Sequence, residues 1–209
     1  MTVNKNCIIR LSKYKNALAK LKALGFVKVF SDNLADAAGV ASSLVRKDFS
    51  IFGITGNKKG GYLIDELIEN ISDILGKNDI QKVVIAGAGN IGSALMKYAG
   101  FEREGLKVTA VFDNDPSKVE AKNPVPILPV ASMKDYIKQN KIRIGIICVP
   151  DHAAGEIFEL MVLSGIKGVL NFAPVSLKPL DDVIVENVNL VGELESLIYF
   201  VNASKKMKK

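Results

Sequence analysis

The chain of 209 residues has only two cysteines, Cys7 and Cys148, and a single histidine, His152. Two cysteines are too few for a disulfide framework, so a reducing cytoplasm is the expected compartment. One histidine with two distant cysteines makes no ligand cluster, so no metal is expected. His152 reads as an exposed helix start, Cys148 as core in an apolar strand, and Cys7 as a residue before the first helix without a motif. No apolar run approaches the roughly twenty residues of a membrane-spanning helix. The polar, basic stretch Met1 to Arg10 has no signal-peptide core, so no membrane partner is expected. Repeats and low-complexity segments are also missing. The apolar share is ample: 48% hydrophobic residues against 24% charged suits one ordinary domain or two small ones.

Charge is unevenly placed. Residues 1–62 hold eleven Lys/Arg and three Asp/Glu, a net of +8, while residues 63–209 hold seventeen and nineteen, a net of −2. A basic first third on a slightly acidic remainder suggests a separate module for a polyanion; a solvated basic face without a partner is the alternative.

Within the basic third, Ile8, Leu11, Tyr14, Leu18, Leu21 and Leu24 recur at three and four, as on one face of a helix ended by Gly25. Ser31 is placed to cap a second helix through Leu34 and Ala38, and Gly39 supplies a turn. A third helix, capped by Ser42 or Ser43, then carries Arg46 and Lys47. Two short helices joined by a Gly turn, the second basic, match a helix-turn-helix, whose second helix enters the major groove. Arg46 and Lys47 can donate there to guanine O6 and N7; an exposed charged helix face is the plain alternative. The glycines around Lys58 and Lys59 suggest a hairpin with a basic tip, making a winged helix, and these lysines would meet phosphate or the minor groove. A fourth helix from about Leu63 to Leu75 ends at Gly76, and the polar stretch after it marks a domain boundary.

Beyond that boundary strands and helices alternate, which predicts an α/β, doubly wound, mostly parallel sheet. Strands are expected at Lys82–Ala86, Lys107–Phe112, Ile142–Val149 and Gly168–Phe172, with helices at Asn90–Ala99, Ala131–Asn140 and Ala153–Ser164. Gly87-Ala88-Gly89-Asn90-Ile91-Gly92 is a G-x-G-x-x-G turn between an apolar strand and a helix, and Asp113 ends the next strand. These are the contexts of the dinucleotide fingerprint. Gly87 permits the tight turn, Gly89 admits the pyrophosphate, Gly92 lets helix pack on strand, and the helix N-terminus offers free N–H groups. Asp113 would accept from ribose hydroxyls and repel a 2′-phosphate, which favours NAD(H) as cofactor. A Rossmann-like domain for coenzyme A, or for no ligand, is the alternative. Val149-Pro150 ends a strand that would border the nicotinamide half. Tyr98 is placed on the first helix of this domain, as packing or as a reporter on the cofactor. The last helix, Gly192 to Lys206, has Leu194, Leu197, Ile198 and Val201 on one face and lies beyond the last strand, so its stripe needs a surface to cover.

These residues resemble the Rex family of redox-sensing transcriptional repressors of bacteria. The resemblance rests on Arg46-Lys47-Asp48-Phe49-Ser50 with Phe52-Gly53, the wing ending in Gly61-Tyr62, and the fingerprint at residues 87–92. It extends through Phe112-Asp113, Asp115-Pro116, Val149-Pro150, Gly165-Ile166-Lys167-Gly168 and Asn171-Phe172-Ala173-Pro174. It implies a winged-helix DNA-binding domain (residues 1–78), a Rossmann NAD(H)-binding domain (79–190) and a C-terminal dimerisation helix (191–209) exchanged between subunits. It further implies a homodimer on palindromic operator DNA, permitted by NAD⁺ and released by NADH, without catalysis. Tyr98 matches a tyrosine of the family's cofactor response. The departures are Asn16 and Asn189, where the family has an Arg–Asp pair between subunits, Lys59 in place of Gly, and Ile51 in place of Tyr. A DNA-binding paralogue without cofactor control is therefore an alternative. A small NAD-dependent dehydrogenase is another, but the nucleotide fold leaves little chain for a substrate site and His152 has no partner motif.

Overall fold

A computed structural model describes residues 3–57, 60–76, 79–119 and 123–206. The chain divides into two units, Met1–Asp79 and Ile80–Lys209.

In the first unit, α1 (Lys5–Ala23) starts at Asn4, whose side chain accepts from the Asn6 N–H, so Cys7 lies inside the helix rather than before it. Strand β1 (Lys28–Val29) leads into α2 (Ser31–Ala38), which ends at Gly39 in the left-handed region with φ +67°. Then come α3 (Ser42–Ile51), β2 (Tyr62–Leu63) and α4 (Ile64–Ile74). Two further expectations change here. Phe30 and Ala41, in extended conformation, precede α2 and α3, so Ser31 and Ser42 are first helical residues and no serine caps either helix. The strand after the wing pairs antiparallel with β1, not with the stretch before the wing tip; among the described residues only Asn57 and Gly61 bridge across that tip. Residues 52–56 follow α3 too closely to form the partner strand, and β1 is already at hand. Leu11, Leu18, Leu34, Val45, Ile64 and Ile71 form the core, each fully buried. Phe49 sits edge-on between Tyr14 (5.7 Å) and Tyr62 (5.2 Å), which fastens α3 to α1 and β2.

The second unit is a six-stranded parallel sheet with helices, as the alternation predicts. Its elements are β3 (Gln81–Ala86), α5 (Asn90–Met96), α6 (Ala99–Arg103), β4 (Leu106–Asp113) and α7 (Pro116–Val119). They continue as β5 (Ile127–Pro129), α8 (Met133–Asn140), β6 (Ile144–Ile147), α9 (Asp151–Ser164), β7 (Gly168–Asn171), β8 (Ile184–Asn187) and α10 (Leu190–Lys206). The order is β5-β4-β3-β6-β7-β8, so the winding reverses between β3 and β6. Strands β5 and β8 were not anticipated: at three and four residues on the sheet edges, they carry too little periodicity to register. Near-continuous burial along β3 from Val83 to Ala86 reflects helices on both faces. Buried Asn171 ties the segment after β7 to β8: its Nδ2 donates to the Val175 carbonyl (2.7 Å) and to Asn187 Oδ1 (2.8 Å). The Asn171-Phe172-Ala173-Pro174 motif is thus anchored by hydrogen bonds rather than by apolar packing alone.

Candidate functional site

Helical spacing puts Ser43, Arg46, Lys47 and Ser50 on the exposed side of α3, opposite buried Val45, Asp48 and Phe49. Arg46 is held loosely, with Nη1 3.3 Å from Asp32 Oδ1 and Nη2 3.3 Å from Ser42 Oγ. Such a face presents a hydroxyl, a guanidinium and an ammonium side by side, the donor set for phosphate oxygens and purine edges. Lys58 and Lys59 lie outside the described residues. On either side of them, Asn57 and Gly61 exchange backbone hydrogen bonds of 3.0 and 2.8 Å.

One polar residue of α3 does not face solvent. Asp48 is fully buried and accepts from Arg10 Nε (2.6 Å) and Nη2 (2.7 Å), the Tyr14 hydroxyl (2.8 Å) and the Cys7 thiol (3.1 Å). Four donors fill the roughly four lone-pair positions of a carboxylate. All come from α1, so the node joins that helix to α3. Burial alone would raise the Asp48 carboxyl, but the bonds from Arg10, Cys7 and Tyr14 outweigh it and hold it below the ordinary carboxylate value. Burial and the neighbouring carboxylate push the Cys7 thiol up to about 11. Sequence reading missed this node. Its signal was that Asp48 falls on the inward stripe of α3, while Cys7, Arg10 and Tyr14 share the stripe of Leu11 and Leu18.

In the second unit a cleft of about 710 Å³ opens beyond the carboxyl ends of β3, β4 and β6, at the reversal of strand order. Of the fingerprint, Gly87, Gly89, Asn90 and Ile91 line it; Ala88 and Gly92 support the turn from behind. Gly87 has φ +96°, and a Cβ there would lie 2.7 Å from the Cys148 carbonyl oxygen. On Gly92 a Cβ would lie 1.8 Å from the Gly87 carbonyl oxygen, so α5 packs directly on the turn. A Cβ on Gly89 meets nothing within 4 Å: open space lies over that backbone. Asp113 closes the end over β4, accepting from the Ala88 N–H (2.7 Å), the Asp115 N–H (2.9 Å) and Lys118 Nζ (3.2 Å). Burial would raise its carboxyl; the Asp115 and Ala88 N–H groups and the Lys118 ammonium outweigh this and keep it ionised at neutral pH. Val149 and Pro150 line the other end beside Cys148, whose thiol burial pushes up to about 12. Cys148 therefore borders the cleft besides contributing to the core. The open backbone at Gly89 and the acid at Asp113 fit a dinucleotide with an unphosphorylated ribose.

With both thiols raised, neither carries thiolate at neutral pH. Labelling of the folded chain with a thiol-specific disulfide reagent at pH 7 should proceed at least about a hundredfold slower than in denaturant, as followed by thiolate release.

One sequence expectation falls elsewhere. Helix α5 ends at Met96, and Tyr98 follows it with ψ 100°, as the residue before α6, so it is not on the first helix of this unit. Its ring lies over Gly100, which leaves room for it, and edge-on to Phe101 at 5.2 Å, lining a groove with Lys82 and Lys107 rather than the cleft beyond β3, β4 and β6. His152 is exposed at the start of α9, with Nδ1 3.5 Å from Asp151 Oδ1. Among the described residues no His/Cys/Asp/Glu group could hold a metal, and no helix is long and apolar enough to cross a membrane. Asn189 Oδ1 accepts from the Gly192 N–H (2.9 Å) and so caps α10, while Asn16 is exposed on α1.

Comparison with known proteins agrees with both halves. The family "CoA binding domain" matches residues 78–175, and "Putative DNA-binding protein N-terminus" matches residues 2–50. Among curated proteins, the redox-sensing transcriptional repressor Rex of Carboxydothermus hydrogenoformans is 41% identical, covering 92% of this chain and 93% of its own length. That of Clostridium botulinum strain Hall is 38% identical, covering 95% of each. Among solved structures, RSP in complex with β-NAD⁺ and operator DNA is 35% identical, with TM-score 0.92 over 100% of this chain and 96% of that one. RSP in complex with β-NADH superposes with TM-score 0.87 over 100% of this chain and 98% of that one.

Proposed function

The chain belongs to the Rex family of redox-sensing transcriptional repressors, and from that membership we propose that it binds palindromic operator DNA as a homodimer and lets go when NADH occupies its cleft. The observation that carries this is the RSP complex, a relative matched along the whole chain that holds operator DNA and β-NAD⁺ together. The exposed side of α3 supplies Ser43, Arg46 and Lys47, with Ser42 behind Arg46, for the operator; Lys58 and Lys59 would add phosphate contacts. The cleft supplies the backbone at Gly89, Asn90 and Ile91 for the pyrophosphate, on a turn shaped by Gly87, Ala88 and Gly92, with Asp113 for the adenosine ribose and Val149 and Pro150 beside the nicotinamide. Coenzyme A carries a phosphate on its ribose, which ionised Asp113 opposes, so NAD(H) suits this cleft better than the name of the matched domain suggests. The nicotinamide supplies the signal: a cationic aromatic ring when oxidised, a neutral dihydro ring when reduced. A ligand shifts the DNA-binding equilibrium only through its difference in affinity for the two conformations. The family is one of repressors, and the chain is not an enzyme.

Two copies are favoured by α10, whose Leu194, Leu197, Ile198, Tyr199 and Phe200 are each about 60% exposed. So much apolar surface on one helix calls for a covering partner. A bacterial DNA target also implies a cytoplasmic protein. Tyr98, outside the cleft and beside Phe101, would report on the cofactor rather than touch it.

The test is an operator mobility-shift titration at several NADH/NAD⁺ ratios, with sedimentation to read the oligomeric state. Release by NADH at concentrations below those needed for NAD⁺ is expected; operator binding indifferent to both nucleotides would sink the redox-sensor reading. The second reading, a paralogue without cofactor control, is favoured by Asn16 and Asn189. It predicts no thermal stabilisation by saturating NADH, since a ligand of the native state must raise the melting temperature.

A further inference from the structure

The ribose end of the cleft holds a cation that the fingerprint does not require. Lys118, on the short helix α7, lies with Nζ 3.2 Å from Asp113 Oδ2 and 3.9 Å from Asp115 Oδ2. Asp113 Oδ2 also accepts the Ala88 N–H, and Oδ1 the Asp115 N–H. Of the roughly four acceptor positions of this carboxylate, three are therefore taken before a ribose arrives. Two of the donors are backbone groups fixed by the fold. The third is an ammonium on a flexible stem, its side chain 38% exposed, and it can swing aside. It also changes the charge that a ligand meets: Asp113 and Asp115 together carry −2, and Lys118 reduces this to −1.

We propose that Lys118 is a specificity-determining residue of the ribose site: it yields Asp113 to the ribose hydroxyls of NADH, and its ammonium is placed to meet the 2′-phosphate of NADPH. The inference rests on the reading of this cleft as the NAD(H) site. Asp113 alone would reject a phosphorylated ribose strongly, because a dianion would sit against an ionised carboxylate. With Lys118 bonded to that carboxylate, the same approach brings the phosphate onto an ammonium as well. The chain should then prefer NADH over NADPH by a finite margin rather than exclude NADPH.

The experiment titrates the full-length protein with NADH and, separately, NADPH, reading the fluorescence of the reduced nicotinamide. Wild type is compared with Lys118→Met, which keeps the stem and removes the charge, and with Lys118→Arg, which keeps the charge. Thermal melting of each variant checks that the fold is retained. Lys118→Met is expected to weaken NADPH about tenfold more than it weakens NADH, the scale of one partly exposed charge-assisted hydrogen bond. Lys118→Arg should return NADPH towards the wild-type affinity. An unchanged NADPH/NADH ratio in Lys118→Met, an equal loss for both nucleotides, or undetectable NADPH binding by wild type that binds NADH would each overturn the inference while leaving the cleft an NADH site. Wild type that binds neither nucleotide would overturn the NAD(H) reading itself, and this inference with it.

Discussion

Asp48→Ala is expected to destabilise the N-terminal unit by about 3–5 kcal/mol, measured by urea unfolding of the full chain, because truncating one partner of a buried ion pair strands the other. The loss is large beside the roughly 5–15 kcal/mol that holds a typical native protein together. It should lie towards the lower end of the range, since the Arg10 side chain is 22% exposed and water can reach part of it. The Tyr14 hydroxyl and the Cys7 thiol, both buried, lose their acceptor as well. Asp48→Asn separates charge from shape: it preserves volume, yet turns an amide NH₂ towards donors and retains only one carbonyl oxygen. It should recover little of the lost stability. A loss below about 1 kcal/mol for Asp48→Ala, the scale of an exposed pair, would mean that the node is not closed to solvent.

The same carboxylate gives the unit an acid dependence with a definite sign. Asp48 is ionised in the fold at a pH where the unfolded chain, with an ordinary value of 3.8, already takes up protons. Its contribution is therefore complete above 3.8 and is lost as pH falls below that value and through the folded one. The difference in stability between wild type and Asp48→Ala should be level at neutral pH and shrink in acid.

The second large effect separates two glycines of one motif. Gly89→Ala is expected to leave the fold intact, because its backbone (φ −73°) suits any residue and its Cβ would point into open space. In the proposed function that space is where the pyrophosphate approaches the chain. NADH affinity should accordingly fall by about a hundredfold or more, the scale of two lost hydrogen bonds to a charged group. Gly92→Ala should instead damage the native state itself, because its Cβ would press on the Gly87 carbonyl oxygen, which is backbone and cannot rotate away. Melting curves and NADH titrations of both variants check this. Equal thermal destabilisation of the two, or full NADH affinity in Gly89→Ala, would show that the open face over Gly89 is not the nucleotide path.

By itself the sequence determined the local and periodic features. Apolar spacing of three and four drew the helices of the first unit, near-continuous apolar runs drew the central strands, and Gly87-Ala88-Gly89-Asn90-Ile91-Gly92 with Asp113 marked a cleft whose turn and acid the fold brings together. These are readable because each depends on neighbours within a few turns of chain, or on a spacing set by one strand–helix–strand unit. Contacts between distant segments were not readable. That Asp48 turns inward to Arg10, Tyr14 and Cys7, that the wing strand pairs with β1, that Tyr98 leaves the helix before it, and that Lys118 rests on Asp113 were all decided by the tertiary structure. The reason is physical. A charged or short segment has no strong periodic preference of its own, so its place is set by whichever partner the folded chain puts within hydrogen-bond reach. In Asp48 this goes furthest: a residue that looks like one charge on a solvated helix becomes, through four donors on another helix, the polar centre that holds α3 in place.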